Sequence, residues 1–213
     1  MRERRSWLRL TEIFYSIQGE SSYSGMPCTF VRLSRCNLRC TWCDTTYSFN
    51  GGEKVEIEAI IAHVESLGCK LVEITGGEPL LQPAVHDLMS QLCDRGYEVL
   101  IETSGSLDIS TIDARVHVIM DLKAPGSGEV DKNRFENIAH LRAKDEVKIV
   151  IADRVDYDWA VASVREHGVL ERCPVIFSPV HGQMPAPQLA AWILEEKLPV
   201  RLGLQIHKFL GVE

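Results

Sequence analysis

The stretch Cys36-Asn37-Leu38-Arg39-Cys40-Thr41-Trp42-Cys43 carries three cysteines with the spacing C-x3-C-x2-C. Three cysteines in so short a stretch cannot form a disulfide framework, because an odd number leaves one thiol unpaired. They also cannot complete a structural zinc site alone, since that site needs four ligands. Three thiolates on a short loop suit an iron–sulfur cube with one iron left without a protein ligand. An open metal position is typical of a catalytic site, so the stretch predicts a catalytic metal centre.

Two alternatives stay open on the spacing alone. A zinc site would borrow a fourth ligand, and Cys28 on the preceding run is the nearest candidate, although it would have to fold back. The three thiols could also be ordinary buried side chains. Cys69 and Cys93 lie in apolar surroundings near predicted helix ends, and we expect both to act as small buried hydrophobic side chains.

Composition is typical of a soluble globular protein. The chain has 213 residues, of which 45% are hydrophobic and 25% charged, and we expect one domain over residues 1–213. The net charge of −7 does not predict binding to nucleic acid. No apolar run reaches the roughly 18 residues that span a bilayer, so no membrane is expected as a partner. A thiolate cluster survives in a reducing compartment, which predicts a cytoplasmic location.

Strand-like and helix-like segments alternate along the chain. Near-continuous apolar strands that alternate with helices predict a parallel α/β sheet. The number of strands favours a partial, open TIM-like barrel of about six mostly parallel strands with few helices, and a doubly wound sheet is the main alternative. The predicted strands cover residues 8–14, 28–34, 71–75, 97–102, 116–121, 147–151 and 174–178, with a final strand or extended tail at 200–206. The predicted helices cover residues 57–67 (ending at Gly68), 85–92, 156–167 and about 189–193, with a weak one at 133–142.

Polar residues follow the predicted strands at the points where they end. Because the carboxyl ends of parallel strands meet on one rim, we expect these residues to form an active-site mouth. The Gly76-Gly77 pair would let the backbone approach a ligand closely. The residues at these strand ends are Ser34, Thr75-Gly76-Gly77-Glu78, Glu102-Thr103-Ser104, Asp121-Leu122-Lys123 and Ser178.

The cysteine motif followed by Gly76-Gly77-Glu78 resembles the radical S-adenosylmethionine (SAM) superfamily, and Trp42 stands where that superfamily usually has an aromatic residue. A narrower resemblance, from about residue 11 to 208, is to the 7-carboxy-7-deazaguanine synthase family. Ser21 departs from it, since a glycine is common there, and this could slightly alter the substrate loop. The narrower resemblance rests on Ile17-Gln18-Gly19-Glu20, Gly25-Met26-Pro27, Phe30-Val31-Arg32-Leu33, Cys43-Asp44-Thr45 and Gln205-Ile206-His207-Lys208.

The resemblance implies a radical SAM lyase of queuosine and 7-deazapurine biosynthesis. It would convert 6-carboxy-5,6,7,8-tetrahydropterin to 7-carboxy-7-deazaguanine and release ammonia. The implied cofactors are a 4Fe–4S cluster, SAM and Mg²⁺, and the implied partners are the pterin and a flavodoxin- or ferredoxin-type electron donor, with the chain as a homodimer. A glycyl-radical-enzyme activase and a non-catalytic metal-binding module are the alternative functions.

The resemblance also implies a role for individual residues. The loop 34–49 would carry the cluster on Cys36, Cys40 and Cys43, Thr45 would bind Mg²⁺, and the tail 200–213 would close the site. The residues expected at SAM are Trp42, Cys43, Asp44, Gly77, Glu78, Ser104, Asp121, Leu122 and Lys123. Those expected at the pterin are Ile17, Gln18, Gly19, Glu20, Arg32, Thr75, Glu102 and His207, with Lys208 as a further tail residue.

Arg32 receives a prediction of its own from strand geometry. Alternation places Phe30 and Arg32 on one face of the run 28–34, and Val31 and Leu33 on the other. If helices cover the Val31 face, Arg32 points into the mouth, where a buried guanidinium needs an anion. We therefore predict that it binds the C6 carboxylate of the pterin. An internal ion pair with Glu20 or Glu73 is the alternative.

Overall fold

The computed structural model describes residues 6–212, so the predicted domain limits at residues 1 and 213 lie outside the described part. One nine-stranded sheet runs through the described residues, in the order β3-β1-β2-β4-β5-β6-β7-β8-β9. Its strands are β1 (Trp7–Ile17), β2 (Pro27–Leu33), β3 (Glu53–Glu56), β4 (Leu71–Gly76), β5 (Glu98–Thr103), β6 (His117–Leu122), β7 (Glu146–Ile151), β8 (Val175–Pro179) and β9 (Arg201–Leu202). The α-helices are α1 (Ile57–Leu67), α2 (Val85–Asp94), α3 (Arg154–Glu166), α4 (Ala186–Glu195) and α5 (Ile206–Leu210).

The central strands are parallel, as predicted. The series β2, β4, β5, β6, β7 and β8 is parallel throughout, and β9 continues it. The strand β1 is antiparallel to its neighbours β2 and β3. The predicted open, mostly parallel sheet with few helices is confirmed, and within the described residues it has nine strands where about six were predicted. The predicted strands omitted β3, whose four residues carry no hydrophobic alternation.

The main core lies between the sheet and the helices. Val31 and Leu33 of β2 are fully buried there with Val64 of α1 and Leu88 of α2. Phe30 points to the opposite face and packs in a smaller cluster with Cys28, Leu100 and Ile119. The predicted alternation of β2 is therefore confirmed, and it leaves the inner face of the strand for the site.

The segment 133–142 is not the predicted α-helix. It contains a 3₁₀ helix at Phe135–His140. The amide of Asn137 donates to the carbonyls of Gly105 and Leu107 at 2.9 and 2.7 Å, and Asn133 bonds both backbone groups of Lys123. These hydrogen bonds to other loops fix the backbone of the segment, so tertiary contacts override its weak helical pattern.

Two other boundaries differ from the prediction. The strand β1 continues to Ile17, because Ile17 pairs with Pro27 of β2 in register. Residues 16 and 17 are therefore strand rather than loop, and the end of β1 delivers Gln18 to the rim of the sheet. The tail forms the two-residue strand β9 and then the helix α5, where the sequence predicted a strand or extended chain. No helix within residues 6–212 is long and apolar enough to cross a bilayer.

Candidate active site

A cavity of about 590 Å³ opens at the carboxyl ends of the parallel strands. All eight residues predicted to contact the pterin line it, and so does Thr45. Cys40 and Cys43 also line it, and Cys36 stands at the start of the same loop, partly buried. Of the residues predicted at SAM, the cavity is lined by Trp42, Cys43, Asp44, Gly77, Ser104, Asp121 and Lys123. The structure thus brings together residues from both ends of the chain.

The start of the cysteine loop packs directly on the end of β4. The amide of Gly77 donates to the carbonyl of Leu33 at 3.2 Å, and that of Glu78 donates to the carbonyl of Arg35 at 2.8 Å. A Cβ atom on Gly77 would lie 2.2 Å from the Arg35 carbonyl oxygen, and one on Gly76 would lie 2.0 Å from that of Leu33. No side chain fits at either position, so the glycine pair is required to seat the loop.

The middle of the cysteine loop (residues 34–49) is bound to the turn after β6. The amide of Thr41 donates to the carbonyl of Ser127 at 3.0 Å, and its hydroxyl donates to the carbonyl of Gly126 at 2.7 Å. Since the start and the middle of the loop are bound to the sheet and its connections, Cys40 and Cys43 keep their place on the cavity wall.

The three thiols fit an iron–sulfur cluster. Burial raises the pKa values of Cys36 and Cys40, and the Leu38 amide at Cys36 and the ammonium group of Lys123 at both thiols offset part of this rise. A nearby cation of this kind favours the thiolate forms that bind iron. Each thiolate of a cubane cluster binds a different iron, so the sulfurs need not converge on one point. Within residues 6–212, no three His, Cys, Asp or Glu side chains form a group able to hold a single metal ion.

Cys28 does not complete a zinc site. It is fully buried near the first residue of β2, whereas the cysteine loop follows the last residue of that strand. At about 3.3 Å per residue, the two ends of β2 lie roughly 20 Å apart.

Two residues predicted at SAM do not line the cavity. Glu78 is fully buried, and its carboxylate accepts hydrogen bonds from the Leu80 amide, the Thr103 hydroxyl and the Ser104 amide at 2.8 to 3.0 Å. These contacts join the end of β4 to the end of β5, so the Glu78 side chain supports the rim. Leu122 points into the main core, because it alternates along β6 with Asp121. Neither residue lines the cavity, so the placement of Glu78 and Leu122 at SAM stays a prediction that their side chains do not support.

Sequence reasoning missed Lys148 as a site residue. Its side chain is 5% exposed, projects from β7 onto the cavity floor, and pairs with both Glu20 and Glu102. The distance from Nζ to Glu20 Oε2 is 2.6 Å. Burial opposes ionisation of Glu20, but Lys148 overcomes it and lowers the pKa of Glu20 to about 2. The lysine therefore keeps Glu20 ionised and bonds Glu102, whose pKa is raised by burial although Lys148 acts in the opposite direction.

Arg32 lines the cavity and pairs with a residue that the sequence analysis did not consider. Its Nε donates to Glu12 Oε1 at 2.7 Å, because Glu12 stands opposite Arg32 in the antiparallel register of β1 and β2. The alternative partners Glu20 and Glu73 bond elsewhere, to Lys148 and Gln18. The bond to Glu12 uses Nε, so the Nη1–Nη2 edge of the guanidinium is the one left for a bidentate contact with a ligand carboxylate.

The tail packs against the loop that follows β1. The backbone amide of Ile206 donates to the carbonyl of Gly19 at 3.1 Å. The side-chain amide of Gln205 donates to the carboxylate of Glu20 at 2.7 Å. A Cβ atom on Gly19 would lie 2.0 Å from His207 Nδ1, so only glycine leaves room for the imidazole. Lys208 pairs with Asp44 of the cysteine loop at 2.7 Å. The tail thus connects the two loops that line the cavity.

Known proteins resemble this chain in sequence and in fold. A profile of the radical SAM superfamily matches residues 31–125. The 7-carboxy-7-deazaguanine synthase of Chlorobaculum tepidum is 47% identical over 206 residues, covering 95% of this chain and 94% of that protein. That of Koribacter versatilis is 47% identical over 218 residues, covering 95% and 96%. The crystal structure of QueE from Escherichia coli superposes with a TM-score of 0.76 at 20% identity, covering 93% and 94%, and shows the same fold.

The cysteine loop and the open parallel sheet together define a radical SAM enzyme. Identity of 47% over nearly the whole length then places the chain more narrowly: it belongs to the 7-carboxy-7-deazaguanine synthase family, a family of radical SAM lyases. The resemblance drawn from the sequence is confirmed. Family membership favours this assignment over a glycyl-radical-enzyme activase or a non-catalytic metal-binding module.

Replacing Lys148 is expected to destabilise the fold. In Lys148→Met, Glu20 and Glu102 are left as uncompensated buried charges, which should lower the free energy of unfolding by about 3–5 kcal/mol at neutral pH. Because the pKa of Glu20 is lowered from 4.5 in the wild type, the stability that it contributes is complete above pH 4.5 and is lost as the pH falls towards 2. The difference in free energy of unfolding between Lys148→Met and the wild type should therefore become smaller as the pH falls from 4.5 towards 2.

Urea unfolding of both proteins as a function of pH measures this difference. The matched control is Lys132→Met, which removes an exposed lysine and should change stability by no more than about 0.5 kcal/mol. Equal stability of Lys148→Met and wild type at neutral pH would contradict the role given to Lys148.

Proposed function

We propose that this chain converts 6-carboxy-5,6,7,8-tetrahydropterin to 7-carboxy-7-deazaguanine with release of ammonia, in queuosine and 7-deazapurine biosynthesis. The observation that carries the proposal is a single cavity with the cysteine loop on one wall and paired carboxylates on its floor, in a chain of this family. The wall formed by the cysteine loop suits a cluster and SAM, and the floor suits a ligand rich in N–H groups.

Glu20 and Glu102 are proposed to bind the guanidine-like edge of the pterin. Both carboxylates line the cavity and both bond Lys148, which fixes their positions on the floor. Hydrogen bonds from N–H groups to an ionised carboxylate are roughly twice as strong as neutral ones. Ile17, Gln18, Gly19, Thr75 and His207 complete the proposed pterin site.

SAM is proposed to lie between the cysteine loop and the ends of β4 to β6. When bound, the iron–sulfur cluster and SAM supply the radical chemistry that starts the reaction. Cys36, Cys40 and Cys43 would hold the cluster. Trp42, Asp44 and Gly77 would border SAM, while Ser104, Asp121 and Lys123 would reach it from the opposite rim.

The C6 carboxylate of the pterin is proposed to meet Arg32. The Arg32 side chain is 15% exposed and is fixed by its Nε bond to Glu12. The rings of Phe14 and Tyr47 lie 5.3 and 5.9 Å from its guanidinium carbon. A guanidinium held in this way presents its remaining edge without further ordering. Arg32 would then position C6 for hydrogen abstraction.

A magnesium ion bound to the Thr45 hydroxyl is the third proposed cofactor. Thr45 lines the cavity, and its Oγ1 lies 3.7 Å from Cys43 Sγ. Mg²⁺ prefers oxygen ligands and commonly completes its shell with substrate and water. A substrate carboxylate between Arg32 and Thr45 would supply such ligands.

The tail is proposed to close the site over the bound pterin. Gln205 and His207 reach the loop after β1, and Lys208 reaches Asp44. Closure of this kind excludes water and prevents side reactions of reactive intermediates. Burial lowers the pKa of His207, so its imidazole is neutral near pH 7 and can accept or donate a hydrogen bond.

Partners and location belong to the same proposal. A flavodoxin- or ferredoxin-type protein would reduce the cluster, and the chain would work as a homodimer in the reducing cytoplasm. The family assignment supports an electron donor, because the radical chemistry of this superfamily starts from a reduced cluster.

The activity is tested by anaerobic incubation of the reconstituted protein with SAM, a reductant and carboxytetrahydropterin. We expect mass analysis to show 7-carboxy-7-deazaguanine and one ammonia per product. Omission of the pterin is the control for unproductive SAM cleavage. Cleavage of SAM at the same rate with and without the pterin, and with no new product, would refute the proposed substrate.

Changing any one of Cys36, Cys40 or Cys43 to Ala should abolish turnover, because each is proposed to bind a separate iron. Iron and sulfide content together with product formation measure the effect. Cys69→Ala and Cys93→Ala are the matched controls, since both thiols lie outside the cavity lining and should leave the cluster intact. A folded Cys69→Ala protein that cannot hold a cluster would contradict this assignment.

Replacing Arg32 should weaken binding of the pterin and not of SAM. Loss of a charge-assisted contact to a carboxylate is expected to cost about 2–5 kcal/mol in pterin affinity for Arg32→Ala. Arg32→Lys should also lose affinity for the pterin, because an ammonium group cannot make the same bidentate contact with a carboxylate. Separate binding measurements for the two ligands test the prediction. Equal losses for both ligands would indicate that Arg32 only supports the fold through Glu12.

A further inference from the structure

Glu73 is a carboxylate of the cavity floor that has no cation of its own. It lies on β4, lines the cavity and is 2% exposed. Its carboxylate accepts a hydrogen bond from the neutral amide of Gln18 at 3.0 Å. The ion pairs found in the described part of the chain do not include Glu73. A buried carboxylate in this position is expensive to ionise.

The cation of the cavity floor, Lys148, is already paired with two other carboxylates. Lys148 of β7 bonds Glu20 and Glu102, so one ammonium faces three carboxylates on the floor. Glu102 stands on β5, the strand next to Glu73, and points to the same side. Ionisation of Glu73, which is itself buried, would therefore add a second net negative charge to the cavity floor.

The other charged or titratable groups around Glu73 do not change this balance. Arg32 of the neighbouring strand β2 is bonded to Glu12 at 2.7 Å. The Cys28 thiol, also on β2, is neutral, since burial raises its pKa far above the usual range. Lys123 and Asp121 pair with each other at 2.8 Å at the end of β6. The tail contributes His207, whose pKa is lowered by burial.

The electrostatics of Glu73 agree with this geometry. Burial and the negative charge of Glu102 raise the pKa of Glu73 to about 8, although the Gln18 amide and Lys148 act in the opposite direction. Near pH 7 the protonated form is therefore the main one.

We propose that Glu73 stays protonated in the substrate-free protein and is a specificity-determining hydrogen-bond donor to an acceptor atom of the ligand ring. This inference rests on the proposed function. Glu20 and Glu102 can only accept, whereas the pyrimidinone ring of a pterin carries both N–H donors and acceptor atoms, a ring nitrogen and a carbonyl oxygen. A floor made only of ionised carboxylates would face those acceptors with like partial charge. One protonated carboxyl group on the same floor supplies the missing donor.

Two variants separate a donor from a merely structural residue. Glu73→Gln keeps the shape, the acceptor for Gln18 and a neutral N–H donor, so we expect a KM for carboxytetrahydropterin within about threefold of the wild type at pH 7. Glu73→Ala removes the donor, and its KM should rise roughly tenfold or more. The kcat of Glu73→Gln should stay close to that of the wild type.

The pH profile is the second readout. Because the wild type needs the proton on Glu73, its KM should rise above about pH 8, by a factor approaching ten per pH unit. The KM of Glu73→Gln should not show this rise, since an amide does not titrate there. A rise of the same size in both proteins would overturn the proposal, and so would a Glu73→Gln variant that behaves like Glu73→Ala.

Infrared spectroscopy tests the protonation without any substrate. The substrate-free, anaerobically reconstituted protein should show the carbonyl stretch of a protonated carboxylic acid well below pH 8, and Glu73→Gln should lack it. Glu53→Gln, which changes an exposed carboxylate of β3, is the control and should keep the band. A spectrum that is the same in wild type and Glu73→Gln would overturn the proposal. If the wild type does not convert the pterin, the proposed function fails, while this measurement still decides whether Glu73 carries the proton.

Discussion

The close backbone contact between the end of β4 and the start of the cysteine loop fixes the distance between the two halves of the site. Gly76 and Gly77 allow the carbonyls of Leu33 and Arg35 to approach so closely that a Cβ atom on either glycine would overlap them. Directly after this contact, the buried side chain of Glu78 joins β4 to β5 through hydrogen bonds with Thr103 and Ser104. The loop that is proposed to carry the cluster therefore has a fixed position over the sheet before any ligand binds.

The floor of the cavity obeys a different constraint, which is the balance of buried charge. Lys148 compensates Glu20 and Glu102, which come from opposite ends of the chain's first half. With only one ammonium for three carboxylates, the third carboxylate is left with an amide as its partner. An ionised floor binds donors and a protonated group binds acceptors, so the uneven balance gives the floor both kinds of hydrogen-bonding group. Specificity for a ring that carries both hydrogen-bond donors and acceptors needs both kinds of group on the floor.

The sequence predicted what is encoded locally and missed what depends on partners. The cysteine spacing, the glycine pair and the alternation of residues 28–34 are properties of short stretches, so they could be interpreted without a structure. Alternation also places Lys148 on the inner face of β7, but it cannot show that Glu20 and Glu102 meet it there, because these contacts span 128 and 46 residues. For the same reason the ion pair of Arg32 with Glu12 was missed, since Glu12 faces Arg32 only through the register of β1 and β2. Glu78 was assigned to SAM because it belongs to a motif, whereas its side chain is directed away from the cavity.

The tail shows how the two constraints meet. Gln205 bonds the same Glu20 carboxylate that Lys148 compensates, and Lys208 bonds Asp44 in the loop seated on the glycine pair. The tail thus contacts the charged floor and the cysteine loop within four residues. A helix as short as α5 has little stability of its own, so these contacts hold it in place. The position of the tail therefore depends on the same Glu20 carboxylate that is proposed to bind the pterin, and binding of the ligand at Glu20 would be felt directly by the segment proposed to close the site.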